Sequence, residues 1–206
     1  VSYGPVSFTA DGTTPITWSV TAGSLPPGMS LSEDGTYSGT PTATGTFDFT
    51  VTAANAGGSE SKAYTHTIQA AQPVITGPAS LANAVDGSPY GPVSFTVDGT
   101  TPITWSVTAG SLPPGIDLAE DGTYSGTPTA TGTYNFTVKA ANTAGTDSAA
   151  YSHTIQAAPP VITGPASLAD GTDGELYGPV SFTADGTGPI TWSVTAGSLP
   201  PGIDLA

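Results

Sequence analysis

Hydrophobic and polar residues alternate along several short stretches of this chain. In "PVSFTV", residues 92–97, the side chains of Val93, Phe95 and Val97 fall on one face of an extended segment, and the residues between them are polar. A period of two residues is that of a β-strand with one buried face. We therefore predict a strand here that packs against a core.

Similar stretches predict further strands in the middle of the chain. In "PITWSVT", the inward positions are Ile103, Trp105 and Val107. In "GTYNFTVKAAN", residues 132–142, one face carries Tyr134, Phe136, Val138 and Ala140. Gly, Pro and Asp residues punctuate the chain about every 8–12 residues, as turns between short strands do. The predicted strands are residues 73–81, 92–97, 102–108, 116–118, 122–127, 132–142 and 148–156. Seven short strands in this space predict an all-β sandwich.

The chain repeats itself with a period of 87 residues. The letters "SLPPG" occur at residues 24–28, 111–115 and 198–202. Residues 3–89 and 90–176 are identical at 68 of 87 positions. Solenoid units are shorter, about 20–50 residues, whereas a whole sandwich domain has roughly 100. The repeat is therefore predicted to be a domain.

Three tandem domains are predicted, and we refer to them as the first, second and third repeats. They are residues 1–72, without the first strand, residues 73–158, which are complete, and residues 159–206, with the front strands only. Two explanations of the incomplete ends stay open. The sequence is a window from a longer array, or a neighbouring chain supplies the missing strands in a fibre.

The stretch "SLPPGIDLAEDGTYSGTPTATGTYNFTVKAAN", residues 111–142, resembles the immunoglobulin-like, or cadherin-like, tandem repeats of bacterial and archaeal surface proteins and adhesins. Residues 24–55 carry the same pattern, so the resemblance covers both longer repeats and the front of the third. It implies tandem immunoglobulin-like sandwiches of about 87 residues with seven strands each. It also implies an extracellular or cell-surface, non-catalytic module, and it implies no single ligand.

The "SLPPG" motif has a structural interpretation. We expect Leu112 to anchor a turn in the core, Pro113 and Pro114 to stiffen it, and Gly115 to adopt a positive φ. The alternative is an exposed polyproline segment that a partner recognises. A corner that recurs with the domain is the favoured interpretation.

The composition of the chain argues against several classes of function. The chain has a formal net charge of −14, two Lys or Arg residues and no Cys. Nucleic-acid binding is therefore not expected, because binding phosphates requires clustered basic side chains. Disulfides and thiol chemistry are excluded, and no apolar run approaches the roughly 20 residues of a membrane-spanning helix.

Acidic residues offer one candidate metal site. Most stand in Asp-Gly turns, but "ADGTDGELYG" places Asp170, Asp173 and Glu175 within six residues at a domain junction. Carboxylate oxygens are the ligands that Ca²⁺ prefers. We therefore predict calcium as the one candidate cofactor, although the preceding junction keeps only Asn83 and Asp86.

The remaining polar residues suggest no catalytic site. His66 and His153 occupy equivalent strand positions, and the favoured interpretation is a half-buried histidine that is hydrogen-bonded across the sheet. No nucleophile–base arrangement, phosphate-binding loop or carboxylate pair outside a repeated turn is evident. The chain is predicted not to be an enzyme.

These observations predict a structural segment of an extracellular filament or cell-surface stalk. Its expected partners are copies of itself or neighbouring repeats, with no nucleic acid and no membrane span. Two alternatives stay open: an adhesin that binds a host or cell-surface glycan or protein, and a spacer in a secreted hydrolase. Near-identity between repeats favours the mechanical role over separate binding specificities.

Overall fold

The structure is a computed structural model that describes residues 2–205, and these residues form strands and turns without a helix. The all-β prediction is therefore confirmed. The chain divides into two compact units, Val1–Gln72 and Pro73–Ala206. The further predicted boundary after residue 158 stays a prediction.

The first unit consists of two three-stranded antiparallel sheets, with the strand orders β1-β4-β3 and β2-β5-β6. Its strands are β1 (Tyr3–Ser7), β2 (Thr17–Gly23), β3 (Met29–Leu31), β4 (Thr36–Gly39), β5 (Gly45–Asn55) and β6 (Gly58–Ile68). One sheet contributes Met29 and Tyr37 to the core, and the other contributes Phe49 and Val51. The unit is thus a sandwich whose apolar faces meet.

The second unit contains the second and third repeats. The strands of the second repeat are β7 (Val74–Gly77), β8 (Ala84–Val85), β9 (Tyr90–Ser94), β10 (Thr96–Asp98), β11 (Thr104–Gly110), β12 (Ile116–Leu118), β13 (Thr123–Gly126), β14 (Gly132–Asn142) and β15 (Gly145–Gln156). The third repeat contributes β16 (Val161–Gly164) and β17 (Thr183–Asp185), which pair with each other.

The core of the second repeat lies between the sheets β11-β14-β15-β8 and β12-β13-β9. Tyr124 comes from the second sheet and has no exposed surface, while Phe136, Val138 and Ala140 come from β14 and are at most 3% exposed. These three residues alternate with more exposed ones along β14, as predicted.

The strand predicted at residues 92–97 changes partners at Phe95. β9 pairs with β13, whereas β10 pairs with β7, so the segment crosses from one sheet to another. Phe95 stands between the two strands and is 4% exposed. A crossing of this kind closes a corner of a sandwich.

Two further details differ from the sequence-based prediction. β8 has two residues and pairs in parallel with the end of β15, and no alternating pattern marks so short a strand. The inward assignment of Val107 is wrong, because its side chain is 36% exposed. The register of β11 against β14 shifts between Val107 and Ala109, and an irregularity of this kind redirects side chains.

The "SLPPG" segment forms the corner between β11 and β12. Pro113 is fully buried, and Leu112 packs against the core. The φ of Gly115 is +85°, which confirms the predicted positive value. Its carbonyl accepts a hydrogen bond from the amide of Thr127, 2.9 Å away. Because Pro113 is buried, the segment is not an exposed ligand for a partner.

Candidate functional site

The three predicted calcium ligands lie in an exposed segment of the third repeat. Asp170, Asp173 and Glu175 are all exposed, and a turn across this segment is closed by a 3.1 Å bond from the Glu175 amide to the Thr172 carbonyl. Across residues 2–205, no three His, Cys, Asp or Glu side chains gather closely enough to hold a metal ion. The calcium site stays a prediction.

The histidine in the second repeat is a core residue. His153 has no exposed surface, and its Nδ1 lies 2.8 Å from the hydroxyl oxygen of Tyr124. The ring also packs against Tyr90, with centroids 4.5 Å apart. The bond joins β15 to β13 in the opposite sheet. The histidine is hydrogen-bonded, as predicted, but it is fully buried rather than half-buried.

Burial is the main cause of the pKa shifts of Tyr124 and His153. It raises the pKa of Tyr124 and lowers the pKa of His153. The backbone of Ala82 acts in the opposite direction and raises the pKa of His153, but burial has the larger effect. The Nε2 atom of His153 is buried without a hydrogen-bond partner. A neutral histidine held by a neutral tyrosine stabilises a core. No substrate can reach it from solvent.

The first repeat holds its histidine in a similar way. The Nδ1 of His66 lies 2.9 Å from the hydroxyl oxygen of Tyr37, and the His66 ring lies 4.7 Å from the Tyr3 ring. The shared geometry indicates that the histidine belongs to the construction of the domain rather than to a metal site.

An apolar groove in the third repeat corresponds to a core surface. Tyr177, Phe182 and Trp192 line it. At the equivalent positions of the second repeat, Phe95 and Trp105 are buried against β14 and β15. The residues that line the groove therefore correspond to residues that form the core of the second repeat.

A contact that the sequence alone does not reveal joins the third repeat to the second. The hydroxyl of Thr187 donates a hydrogen bond to Oδ2 of Asp86, at 2.8 Å, and accepts one from the amide of Ala158, at 2.9 Å. The amide of Thr187 donates to the Ala158 carbonyl at 3.1 Å. The recurrence of Asp-Gly-Thr was the only available signal, and it also fits an ordinary turn.

Two further observations bear on the class of protein. No helix within residues 2–205 has both the length and the apolar character needed to cross a bilayer. Residues 1–70 and 72–157 each match the family described as "Putative Ig domain". The chain belongs to this immunoglobulin-like family. The predicted resemblance is thereby confirmed, and no curated protein matches the chain.

Solved structures resemble parts of this immunoglobulin-like chain. A "putative alpha-galactosidase" of Bacteroides fragilis is 28% identical over 40% of this chain and 17% of its own, with a TM-score of 0.36. An endo-fucoidan hydrolase of glycoside hydrolase family 107 is 22% identical over 68% of this chain and 23% of its own, with a TM-score of 0.35.

The extracellular cadherin domains 3–6 of protocadherin gamma B2 are 16% identical over 68% of this chain and 42% of their own, with a TM-score of 0.36. The chain thus spans less than half the length of each of these structures. At these TM-scores, the likeness carries no argument about function.

Proposed function

We propose that this chain is a non-catalytic structural segment of an extracellular filament or cell-surface stalk. Its tandem immunoglobulin-like repeats give the assembly length and stiffness. Its partners are neighbouring repeats and further copies of itself.

The observation that carries this proposal is the near-identity of consecutive sandwiches. The repeats share 68 of 87 residues, and both bury a tyrosine and a phenylalanine at equivalent core positions, Tyr37 with Phe49 and Tyr124 with Phe136. Separate binding specificities would require different surfaces, whereas a mechanical element needs the same unit many times.

The use of the acidic turns supports a non-catalytic role. The carboxylate of Asp121 accepts a hydrogen bond from the Thr123 amide at 2.9 Å, and that bond lowers the pKa of Asp121. At Asp34, hydrogen bonds from Ser32 and from the Thr36 amide lower the pKa in the same way. These carboxylates shape turns, and neither is poised to transfer a proton near neutral pH.

Charge and linker composition support the proposed mechanical role. A formal net charge of −14 makes domains repel each other. Residues 157–160 form the linker across the boundary between the second and third repeats. It ends with Pro159 and Pro160, and proline restricts the backbone freedom of a hinge. Both features are compatible with the stiffness that the proposed role requires.

Immunogold electron microscopy of the native cells, with antibody raised against this chain, tests the proposal. We expect gold on extracellular fibres whose axial repeat is about 35–45 Å, the length of strands of about 8 residues plus loops. Gold confined to the cell interior would overturn the proposal. Gold on short flexible arms would instead favour an adhesin, and gold on a secreted hydrolase would favour a spacer.

A further inference from the structure

The junction between the second and third repeats contains a polar contact between residues 101 positions apart. Asp86 and Thr187 are both partly buried. The hydroxyl of Thr187 uses its donor on the Asp86 carboxylate and its acceptor on the linker amide of Ala158. A hydrogen bond to a carboxylate is among the stronger polar contacts in proteins.

The second repeat holds Asp86 rigidly for this contact. The Asp86 amide donates to the Gln156 carbonyl at 2.9 Å, and the Gly87 amide donates to the Pro128 carbonyl at 2.8 Å. The carboxylate is therefore presented by a turn that is bonded to the end of β15 and to the segment before β14.

The third repeat approaches the linker closely at the same point. A Cβ atom on Gly186 would lie 2.9 Å from the carbonyl oxygen of Pro159 and 2.9 Å from the Cα of Pro160. The φ of Gly186 is +132°, a conformation that L side chains rarely adopt. Glycine at this position lets the loop rest on the linker and brings Thr187 within reach of Asp86.

We propose that Asp86 and Thr187 form a clasp by which one repeat recognises the Asp-Gly-Thr loop of the following copy and fixes its orientation. The clasp consists of the carboxylate of Asp86, the linker amide of Ala158 and the hydroxyl of Thr187. The partner that fits this surface is another copy of the repeat.

Both halves of the clasp recur with the 87-residue period. Asp-Gly-Thr stands at residues 11–13, 98–100 and 185–187, and Asp173 occupies the position of Asp86. The turn at Asp173 repeats the geometry at Asp86: the bond from Glu175 to Thr172 matches the 3.1 Å bond from Ser88 to Val85. Donor and acceptor at opposite ends make a head-to-tail contact that continues along an array.

The clasp extends the proposed structural role. The contact itself does not depend on that role, and only its biological purpose rests on it. Because the chain has no Cys, spin labels can be placed at Ser152→Cys and Ser181→Cys, which are exposed positions in the second and third repeats. Double electron–electron resonance then reports the distribution of the distance between them. We expect a single narrow distribution for the parent chain.

The variants Thr187→Val and Asp86→Ala should each widen that distribution at least about twofold, because losing the bond raises the population of open junctions about tenfold. Thr187→Ser keeps the hydroxyl and should stay narrow. The matched controls Thr13→Val and Asp173→Ala change the equivalent residues away from this junction and should also stay narrow. Circular dichroism checks that each variant is folded.

A narrow distribution in both Thr187→Val and Asp86→Ala overturns the clasp, and so does equal widening in the two controls. Widening by Thr187→Val alone also overturns it, because the linker would then hold the loop without Asp86. If Thr187→Val does not fold, Asp86→Ala in the complete second repeat still decides the outcome. If the junction proves to be loose, the clasp is overturned, but the proposed surface location is not. If the gold labelling is intracellular, the proposed filament is overturned, but the clasp is not.

Discussion

Gly115 occupies a tight point of the corner between β11 and β12. Its φ is +85°, and a Cβ atom there would lie 2.1 Å from the carbonyl oxygen of Thr127. Gly87 has a similar φ of +74°, but a Cβ atom there would meet nothing within 4 Å. Comparing substitutions at these two glycines therefore separates the energetic cost of the backbone conformation from the energetic cost of a steric clash.

We expect Gly115→Ala to destabilise the second repeat by about 2–4 kcal/mol, from the left-handed conformation and the overpacking together. Gly87→Ala should cost about 1 kcal/mol, from the conformation alone. Urea unfolding followed by tryptophan fluorescence measures both. Equal losses in the two variants would contradict the steric explanation of the corner.

His153 makes the stability of the second repeat depend on pH. Burial lowers its pKa below the usual value near 6.5, so the unfolded chain binds this proton more readily than the folded chain. The facing side chains of Tyr90 and Tyr124 have raised pKa values and stay neutral in this range. The stabilising contribution is complete above about pH 6.5 and is lost as the pH falls toward the folded-state pKa.

We therefore expect the urea midpoint of the second repeat to fall between about pH 7.5 and pH 5, and to fall less in His153→Gln. Comparing the two chains removes the contribution of the carboxylates, which is common to both. Parallel pH profiles in the two chains would show that His153 does not titrate on unfolding.

At the scale of elements, β15 holds the first strand of the second repeat in place. The carboxylate of Asp147 accepts a bond from the Ile75 amide at 2.8 Å, and the hydroxyl of Tyr151 donates to the Pro78 carbonyl at 2.9 Å. β7 has only four residues and one paired neighbour, β10. Side chains from β15 therefore contribute much of its attachment.

We expect Asp147→Ala to speed hydrogen exchange at the Ile75 amide about fivefold or more, because a hydrogen bond worth about 1 kcal/mol is lost. Glu60→Ala changes the equivalent, exposed residue of the first repeat and serves as the control. Unchanged exchange at Ile75 in the Asp147 variant would show that pairing with β10 holds β7 by itself.

At the scale of the whole molecule, negative charge dominates. The chain has sixteen acidic residues and only two basic ones, Lys62 and Lys139. Repulsion between like charges destabilises a compact state, and salt screens it over about 10 Å at 0.1 M. Stability should therefore depend on ionic strength even without a specific ion site.

We expect raising NaCl from about 10 to 200 mM to increase the free energy of unfolding by about 1 kcal/mol. The predicted calcium site adds a second expectation: CaCl₂ at matched ionic strength should stabilise the third repeat further. The double variant Asp170→Asn with Glu175→Gln should remove that excess. Equal effects of the two salts would contradict the calcium site and leave screening intact.

The sequence by itself determined the local structure of the repeats. Alternation predicted the buried face of β14 at Phe136, Val138 and Ala140, because a strand with one face on the core must repeat every two residues. The chemistry of glycine and proline predicted the corner at Gly115. These features depend on neighbours in sequence, and the 87-residue period showed that they recur.

Only the tertiary structure decided which distant groups meet. Tyr124 and His153 join opposite sheets, and Asp86 meets Thr187 across 101 residues. Local periodicity gives the face of a strand that is buried, but it does not give the side chain that lies opposite. That choice depends on sheet order and on where a turn arrives in space, and both are set when the sheets pack and the linker positions the next repeat.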